Sequence, residues 1–162
     1  MSVIGLGTIL NAFRLKPLDE VLPAAEHAGV GIIARVPLAS GLLTAKYTES
    51  TTFAENDHRT YNRGGEAFDV GETFSGVDFA TGVQAAREFA ALVPDGITAA
   101  QAALAWIAQL PQVSTVIPGA RNPQQARANA EAGALRDLGD DFRRGISEIY
   151  DRHFRAAVHS RW

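Results

Sequence analysis

The sequence predicts an α/β domain with a parallel sheet, and three features carry that prediction. Short apolar runs of strand length, among them Val30 to Val36 (VGIIARV) and Val113 to Ile117 (VSTVI), alternate with stretches whose apolar residues recur at helical spacing. The first strand, a helix and the second strand follow one another through short linkers, which is the pattern of a βαβ crossover and hence of parallel pairing. At 162 residues the chain suits one domain with a real core and is too short for two of ordinary size.

In chain order, Met1 to Asn11 reads as a buried strand with Gly5 and Gly7 inside it. Pro17 stands where a first helical turn can start, and Leu18, Val21, Leu22 and Ala25 continue at helical spacing through Ala28. Gly29 closes that helix from the position where positive φ is usual. The strand Val30 to Val36 stops at Pro37. From Leu38 to Asp78 regular periodicity ends, and about forty residues without it in a compact domain mark a functional lid or a disordered segment. Helical spacing returns at Phe79 to Leu92, and Thr98 with Gln101 forms a capping box opening a helix from Ala99 to Leu110. After the strand Val113 to Ile117 and the turn Pro118-Gly119, Asn122 caps a helix whose first residue is Pro123, where a missing amide costs nothing. A last helix, from about Asp141 to Ala157, buries Phe142, Ile146, Ile149, Tyr150 and His153.

Composition excludes several classes. Apolar residues make up 46% and charged residues 20%, which is a globular balance. No apolar run reaches the roughly 20 residues that span a bilayer, and Met1 to Asn11 lacks the basic start and small-residue cleavage site of a secretory signal. No membrane association is expected. The absence of cysteine removes disulfides and thiol chemistry and fits a cytoplasmic protein. His27, His58, His153 and His159 form neither an HxH nor an HExxH pattern, so no metal site is expected. The net charge is −3, and Arg143, Arg144, Arg152, Arg155 and Arg161 are interleaved with Asp140, Asp141, Glu148 and Asp151; this is a solvated face, not a nucleic-acid footprint. Glu55, Asp57 and His58 lie in the polar stretch and read as surface residues.

Alternating βα units fit a doubly wound sheet or a (β/α)8 barrel, and a whole barrel needs about 250 residues. The motifs decide between them. The run GVGIIARVPLASGLLTAKY (Gly29 to Tyr47) resembles the seventh strand of the aldo-keto reductases and the loop after it. VSTVIPGARNPQQARANA (Val113 to Ala130) resembles their eighth strand, phosphate-binding turn and following helix. DHRTYNRGGEAFDVGETFSGV (Asp57 to Val77) and ITAAQAALAWI (Ile97 to Ile107) resemble the same family in order and spacing. The resemblance implies a partial (β/α)8 TIM barrel: about three parallel strands, flanking helices and a C-terminal helix, as a single truncated domain over 1–162. Asn11-Ala12-Phe13 resembles the end of the family's sixth strand, where a Gln four residues before the Asn is replaced here by Gly7. SVIGLGT (Ser2 to Thr8) is instead similar to the first strand, so strands two to five read as missing.

In the family a Tyr acid, tuned by a Lys and an Asp and aided by a His, completes carbonyl reduction by a nicotinamide cofactor. Those residues lie on strands two to four, and nothing here matches them. Tyr47, Tyr61 and Tyr150 sit in the loop or on a core helix face, and neither Lys16 nor Lys46 has a Tyr-Lys-Asp setting, so no catalytic residue is assigned. Cofactor chemistry remains. The resemblance places Pro37, Leu38, Ser40 and Leu42 in the loop that folds over the pyrophosphate, and Arg35 against the nicotinamide ring. Small residues after a strand let backbone approach a phosphate closely. Gly119 precedes a helix N-terminus, Arg121 offers a fork for the 2′-phosphate of NADP, and Gln125 and Asn129, four apart, share one helical face toward ribose and adenine. The expected cofactor is NADP, the expected activity by descent is reduction of an aldehyde or ketone, and the isolated chain is expected to turn nothing over. The alternatives are a non-catalytic half-barrel that pairs with itself or a complementing chain through open sheet edges, and an inactive product of internal deletion.

Overall fold

The computed structural model describes residues 4–161. Its sheet has three strands in sequence order, β1 (Gly5–Ile9), β2 (Gly31–Arg35) and β3 (Val113–Val116), all parallel. Gly5 pairs with Gly31 and Ile9 with Arg35, while Ala34 pairs with Val116 beyond a register shift between Ile32 and Ile33. The helix α1 (Val21–His27) packs on β2, and α4 (Ala99–Ala108) packs on β3. On the central strand Ile32 and Ala34 are fully buried while Gly31, Ile33 and Arg35 are half-buried, the alternation that a sheet covered mainly on one face requires. This is the partial barrel expected from the motifs.

The first strand differs from its expectation. Met1 to Val3 lie outside the described residues, and β1 is exposed through Gly7, with Ile4 63% and Leu6 44% accessible. Leu6 lies beside the buried Ile32, but β1 is an edge strand, with no neighbour on its outer side among the described residues. The helix expected from Pro17 to Ala28 is also divided, into a 3-10 turn over Lys16–Leu18 and α1. Pro23 explains the break. Its ring has no amide and would clash with the carbonyl four residues back, so the helix must begin within the turn that contains it. Gly29 follows at φ 66, as a helix-closing residue should.

The long stretch after β2 is folded, although its sequence lacks periodicity. It contains 3-10 turns over Ala39–Thr44, Val70–Glu72 and Phe74–Gly76, and one helical turn, α2 (His58–Tyr61). Its apolar centre is aromatic: the ring centroids of Tyr47 and Phe53 lie 5.1 Å apart, and those of Phe74 and Phe79 4.9 Å. Asn62, fully buried, donates to Thr73 Oγ1 (3.1 Å) and accepts from the amides of Ala67 and Phe68 (2.8 Å each). Sequence periodicity could not reveal this, because such a loop is held by ring contacts and side-chain bonds that have no fixed spacing.

The helices α3 (Phe79–Leu92) and α4 begin as read, capped by Asp78 and by the reciprocal Thr98–Gln101 pair. The last helix, α6 (Gly139–His153), breaks at Phe154 before a short α7 (Arg155–Val158). Phe142, Ile146, Ile149 and Tyr150 are buried, whereas His153 remains partly exposed and bonds Glu88 on α3 (2.9 Å). No helix among the described residues is long and apolar enough to cross a membrane.

Phe13, just after β1, stacks on Phe154 (centroids 4.5 Å apart) and meets Phe89 edge-on at 6.3 Å; all three are fully buried. This ring joins the end of β1 to α3 and to the C-terminal helices. Phe13→Ala is expected to lower stability by roughly 3–5 kcal/mol, the usual cost of an aromatic cavity. Denaturant unfolding measures it, and a loss below about 1 kcal/mol would show that the site collapses around the missing ring.

Candidate functional site

Two turns at the carboxyl ends of β2 and β3 build the site. Beyond β2 the backbone enters the left-handed region at Val36 (φ 53), an outlier for a β-branched residue. The fully buried Asn11 holds it there, donating from Nδ2 to the Val36 carbonyl (3.0 Å) while its Oδ1 accepts from the Phe13 amide (2.9 Å). Ala39, Ser40 and Gly41 continue at φ 48, 57 and 96. At Gly41 a Cβ would collide with the Tyr47 hydroxyl, so glycine is required both by conformation and by space. Ser40 ties this turn to the long loop: its Oγ donates to the Glu72 carbonyl (2.9 Å) and accepts from the Phe74 amide (3.2 Å).

Beyond β3 the chain runs through Pro118 to Arg121 into α5 (Pro123–Glu131). The Asn122 side chain caps α5 by accepting from the Gln125 amide (2.8 Å). Gln125 Oε1 accepts from the Arg121 amide (2.8 Å), and Asn129 Nδ2 donates to the Gly119 carbonyl (3.1 Å). The turn is therefore braced by the helix that follows it. None of the α5 side chains is buried, a Cβ at Gly119 would meet open space, and Arg121 is exposed without an ion pair among the described residues. The two turns face one open groove of about 1230 Å³. Pro37, Leu38 and Ser40 line it from the β2 end, and Gly119, Arg121, Gln125 and Asn129 from the β3 end. Lys46, Tyr47, His58, Arg59 and Glu72 reach it from the loop between.

Residues 8–151 match the aldo/keto reductase family. The chain belongs to that family. Among curated relatives of this aldo/keto reductase, a probable voltage-gated potassium channel subunit beta of Arabidopsis thaliana is 34% identical over 124 residues, covering 74% of this chain and 34% of the relative. An uncharacterized oxidoreductase of Bacillus subtilis is 24% identical over 159 residues, covering 94% of this chain and 46% of the relative. A glycerol dehydrogenase structure from Gluconobacter oxydans superposes with a TM-score of 0.73 at 26% identity, over 92% of this chain and 42% of that one. The holo form of an aldo-keto reductase from Bacillus halodurans superposes with a TM-score of 0.66 at 17% identity, over 98% of this chain and 46% of that one. The chain thus spans a third to a half of the length of these relatives.

Seven of the nine residues expected at a cofactor site line the groove of this family member: Pro37, Leu38, Ser40, Gly119, Arg121, Gln125 and Asn129. The other two are placed differently. The Leu42 side chain is fully buried and packs toward Gly82 on α3. Arg35 is not among the residues that line the groove, and its Nη2 lies 2.6 Å from Glu72 Oε1. Among the described residues no cluster of three or more His, Asp or Glu is placed to hold a metal ion.

The residue that sequence reasoning passed over is Arg59. Asp57 and His58, read as surface groups, flank a guanidinium that is only 11% accessible. Its Nε and Nη2 bond the two Asp57 oxygens (2.8 and 2.6 Å), and its Nη1 bonds the Tyr47 hydroxyl. The ring of Phe53 lies 4.7 Å from its centre. An Arg placed among the loop's Phe and Tyr residues was the signal available in the sequence, because guanidinium groups stack on aromatic faces.

Arg59 holds the Asp57 carboxyl down at about 2, chiefly through its side-chain hydrogen bonds. A carboxyl whose folded pKa lies below its unfolded value of roughly 3.9 contributes stability that is complete above that value. The contribution is lost as pH falls through about 2. Acid unfolding followed between those limits is expected to show this dependence in the native chain and a shallower one in Asp57→Asn. Equal slopes would show that the pair adds nothing to folding.

Proposed function

We propose that this chain is a dinucleotide-binding portion of an NADP(H)-linked oxidoreductase acting on an aldehyde or ketone. The observation that carries the reading is the convergence of two turns, each of the kind that approaches phosphate, on one groove. The folded loop from Thr44 to Asp78, the helices α3 and α4 and the strand β3 separate them in sequence, so their meeting is not a local accident. A left-handed turn rich in small residues lets backbone come close to an anion. The N-terminus of α5, where the amides of Arg121 and Gln125 are already bonded, adds the positive end of a helix dipole.

Within that reading Arg121 takes the 2′-phosphate, because its exposed fork stands at the helix start without a protein carboxylate on it. Gln125 and Asn129 first shape the turn, through the Arg121 amide and the Gly119 carbonyl. Their remaining amide groups face the adenosine side. Pro37, Leu38 and Ser40 meet the pyrophosphate, with Leu42 anchoring their turn in the core. Arg35, fixed by Glu72, backs the nicotinamide end. A bound dihydronicotinamide supplies hydride; the protein residues named here bind and orient it. No residue of this chain is proposed as the proton donor, so the complete reaction requires an acid from outside these elements.

A second reading is favoured by the exposed Ile4 and Leu6 on the open edge of β1. A parallel strand and covering helix, from a second copy or a complementing half-barrel, would bury them. Such pairing is how an open sheet edge is satisfied. This reading adds to cofactor binding without replacing it.

Arg121→Ala is expected to weaken NADPH binding by roughly 10- to 100-fold, as loss of a charge-assisted bidentate contact does, and NADH binding far less. Calorimetric titration of both cofactors measures the difference. Equal losses would remove Arg121 from the 2′-phosphate.

A further inference from the structure

Arg59 and Tyr47, which line the groove, form a closed polar knot with Asp57. The guanidinium of Arg59 is engaged on all three nitrogens: Asp57 takes Nε and Nη2 through both carboxylate oxygens, and Nη1 serves the Tyr47 hydroxyl and, at 3.5 Å, the Ser40 carbonyl. The last of these contacts sets the cation directly against the left-handed turn. A carboxylate with two oxygens in the plane of a guanidinium presents the same geometry and charge as two oxygens of a phosphate. An anion arriving at the turn therefore meets a cation whose fork is already filled from within the same loop.

We propose that Asp57 is a built-in competitor for the ligand's phosphates, holding Arg59 in the free chain and giving it up when a diphosphate binds. The inference rests on the reading of the turn after β2 as a diphosphate site. Asp57 is suited to the exchange because it is not sealed in, being 19% accessible and bonded to an arginine that lines the groove. It has a second partner at hand in His58, whose Nδ1 lies 3.5 Å away. Arg59, in contrast, is fixed from below by the Phe53 ring and from the side by Tyr47, so it keeps its position when its partner changes. Each binding event breaks one charge-assisted pair to form another, and Asp57 thereby sets the affinity of the groove lower than its cations alone would. Lys46 and His58 line the same groove without such a bidentate partner among the described residues, and Glu72 is engaged by Arg35.

Asp57 also caps α2 by accepting from the Arg59 amide (3.0 Å), and a cap requires an acceptor but no charge. Asp57→Asn keeps the cap, as does Asp57→Ser, and both remove the competing charge. Titration of NADPH and of inorganic pyrophosphate by calorimetry is expected to show roughly tenfold tighter binding of each to both variants, with a steeper dependence on salt. In the native chain, carbon NMR of the Asp57 carboxyl is expected to show titration near 2 moving up toward roughly 3.9 when pyrophosphate saturates the groove. Unchanged or weaker binding by both variants, or an Asp57 titration that does not move in the saturated complex, overturns the competitor role. If NADPH binds with Asp57 unmoved, the dinucleotide reading survives and this inference does not. If pyrophosphate displaces Asp57 and NADPH fails to bind, the inference survives and the dinucleotide reading does not. Failure of both probes with native and variant chains overturns both.

Discussion

Asn11 donates to the carbonyl of Val36 and accepts from the amide of Phe13, and the groove depends on that buried bridge. A left-handed β-branched residue costs on the order of 1–3 kcal/mol and persists only where its surroundings hold it. Here the surroundings are the end of the neighbouring strand. The bridge converts parallel pairing of β1 and β2 into a fixed exit direction for the chain beyond β2, and Ala39, Ser40 and Gly41 continue the reversal. The same segment carries Phe13 into the ring contact with Phe154 and Phe89, so the exit of β1, the turn of the groove and the C-terminal helices are mechanically one unit.

The loop between Thr44 and Asp78 is fastened to that unit at three places. Ser40 takes the Phe74 amide and reaches the Glu72 carbonyl, Arg35 pairs with Glu72, and Arg59 and Tyr47 both contact the Ser40 carbonyl. Polar side chains bond the loop to the turn, and aromatic rings fill the space beneath it. The wall opposite is built differently. There α5 braces its own leading turn through Gln125 and Asn129, and its exposed side chains leave that face of the groove to solvent. One side of the groove is thus shaped by long-range contacts and the other by local ones.

That difference governs how much could be read in advance. The elements with local causes were legible: the capping box at Thr98 and Gln101, the Asn122-Pro123 start of α5 and the closing role of Gly29 all follow from residues within a turn of one another. Parallel pairing followed from the order of the apolar runs. The residues that motif resemblance offers for a cofactor site, Pro37, Leu38, Ser40, Gly119, Arg121, Gln125 and Asn129, line one groove in the structure, and their role there is the proposal. What stayed hidden was tertiary. The burial of Arg59 requires rings from Tyr47 and Phe53 and a carboxylate two residues away, the engagement of Arg35 requires Glu72 from 37 residues on, and the exposure of Ile4 and Leu6 depends on what does not lie beside β1. Leu42 follows three consecutive left-handed residues, Ala39, Ser40 and Gly41, and its side chain is buried in the core.

In the proposed function, the turn after β2 and the turn before α5 act together as one dinucleotide site. Amide proton–nitrogen NMR of the native chain, titrated with NADP, tests it most directly, because each turn reports separately. Saturable shifts are expected at Leu38 to Leu43 and at Gly119 to Gln125, following a single binding curve, with the amides of α1 and α6 unchanged. Shifts confined to one turn, two different binding curves, or shifts centred on the open edge of β1 would contradict it.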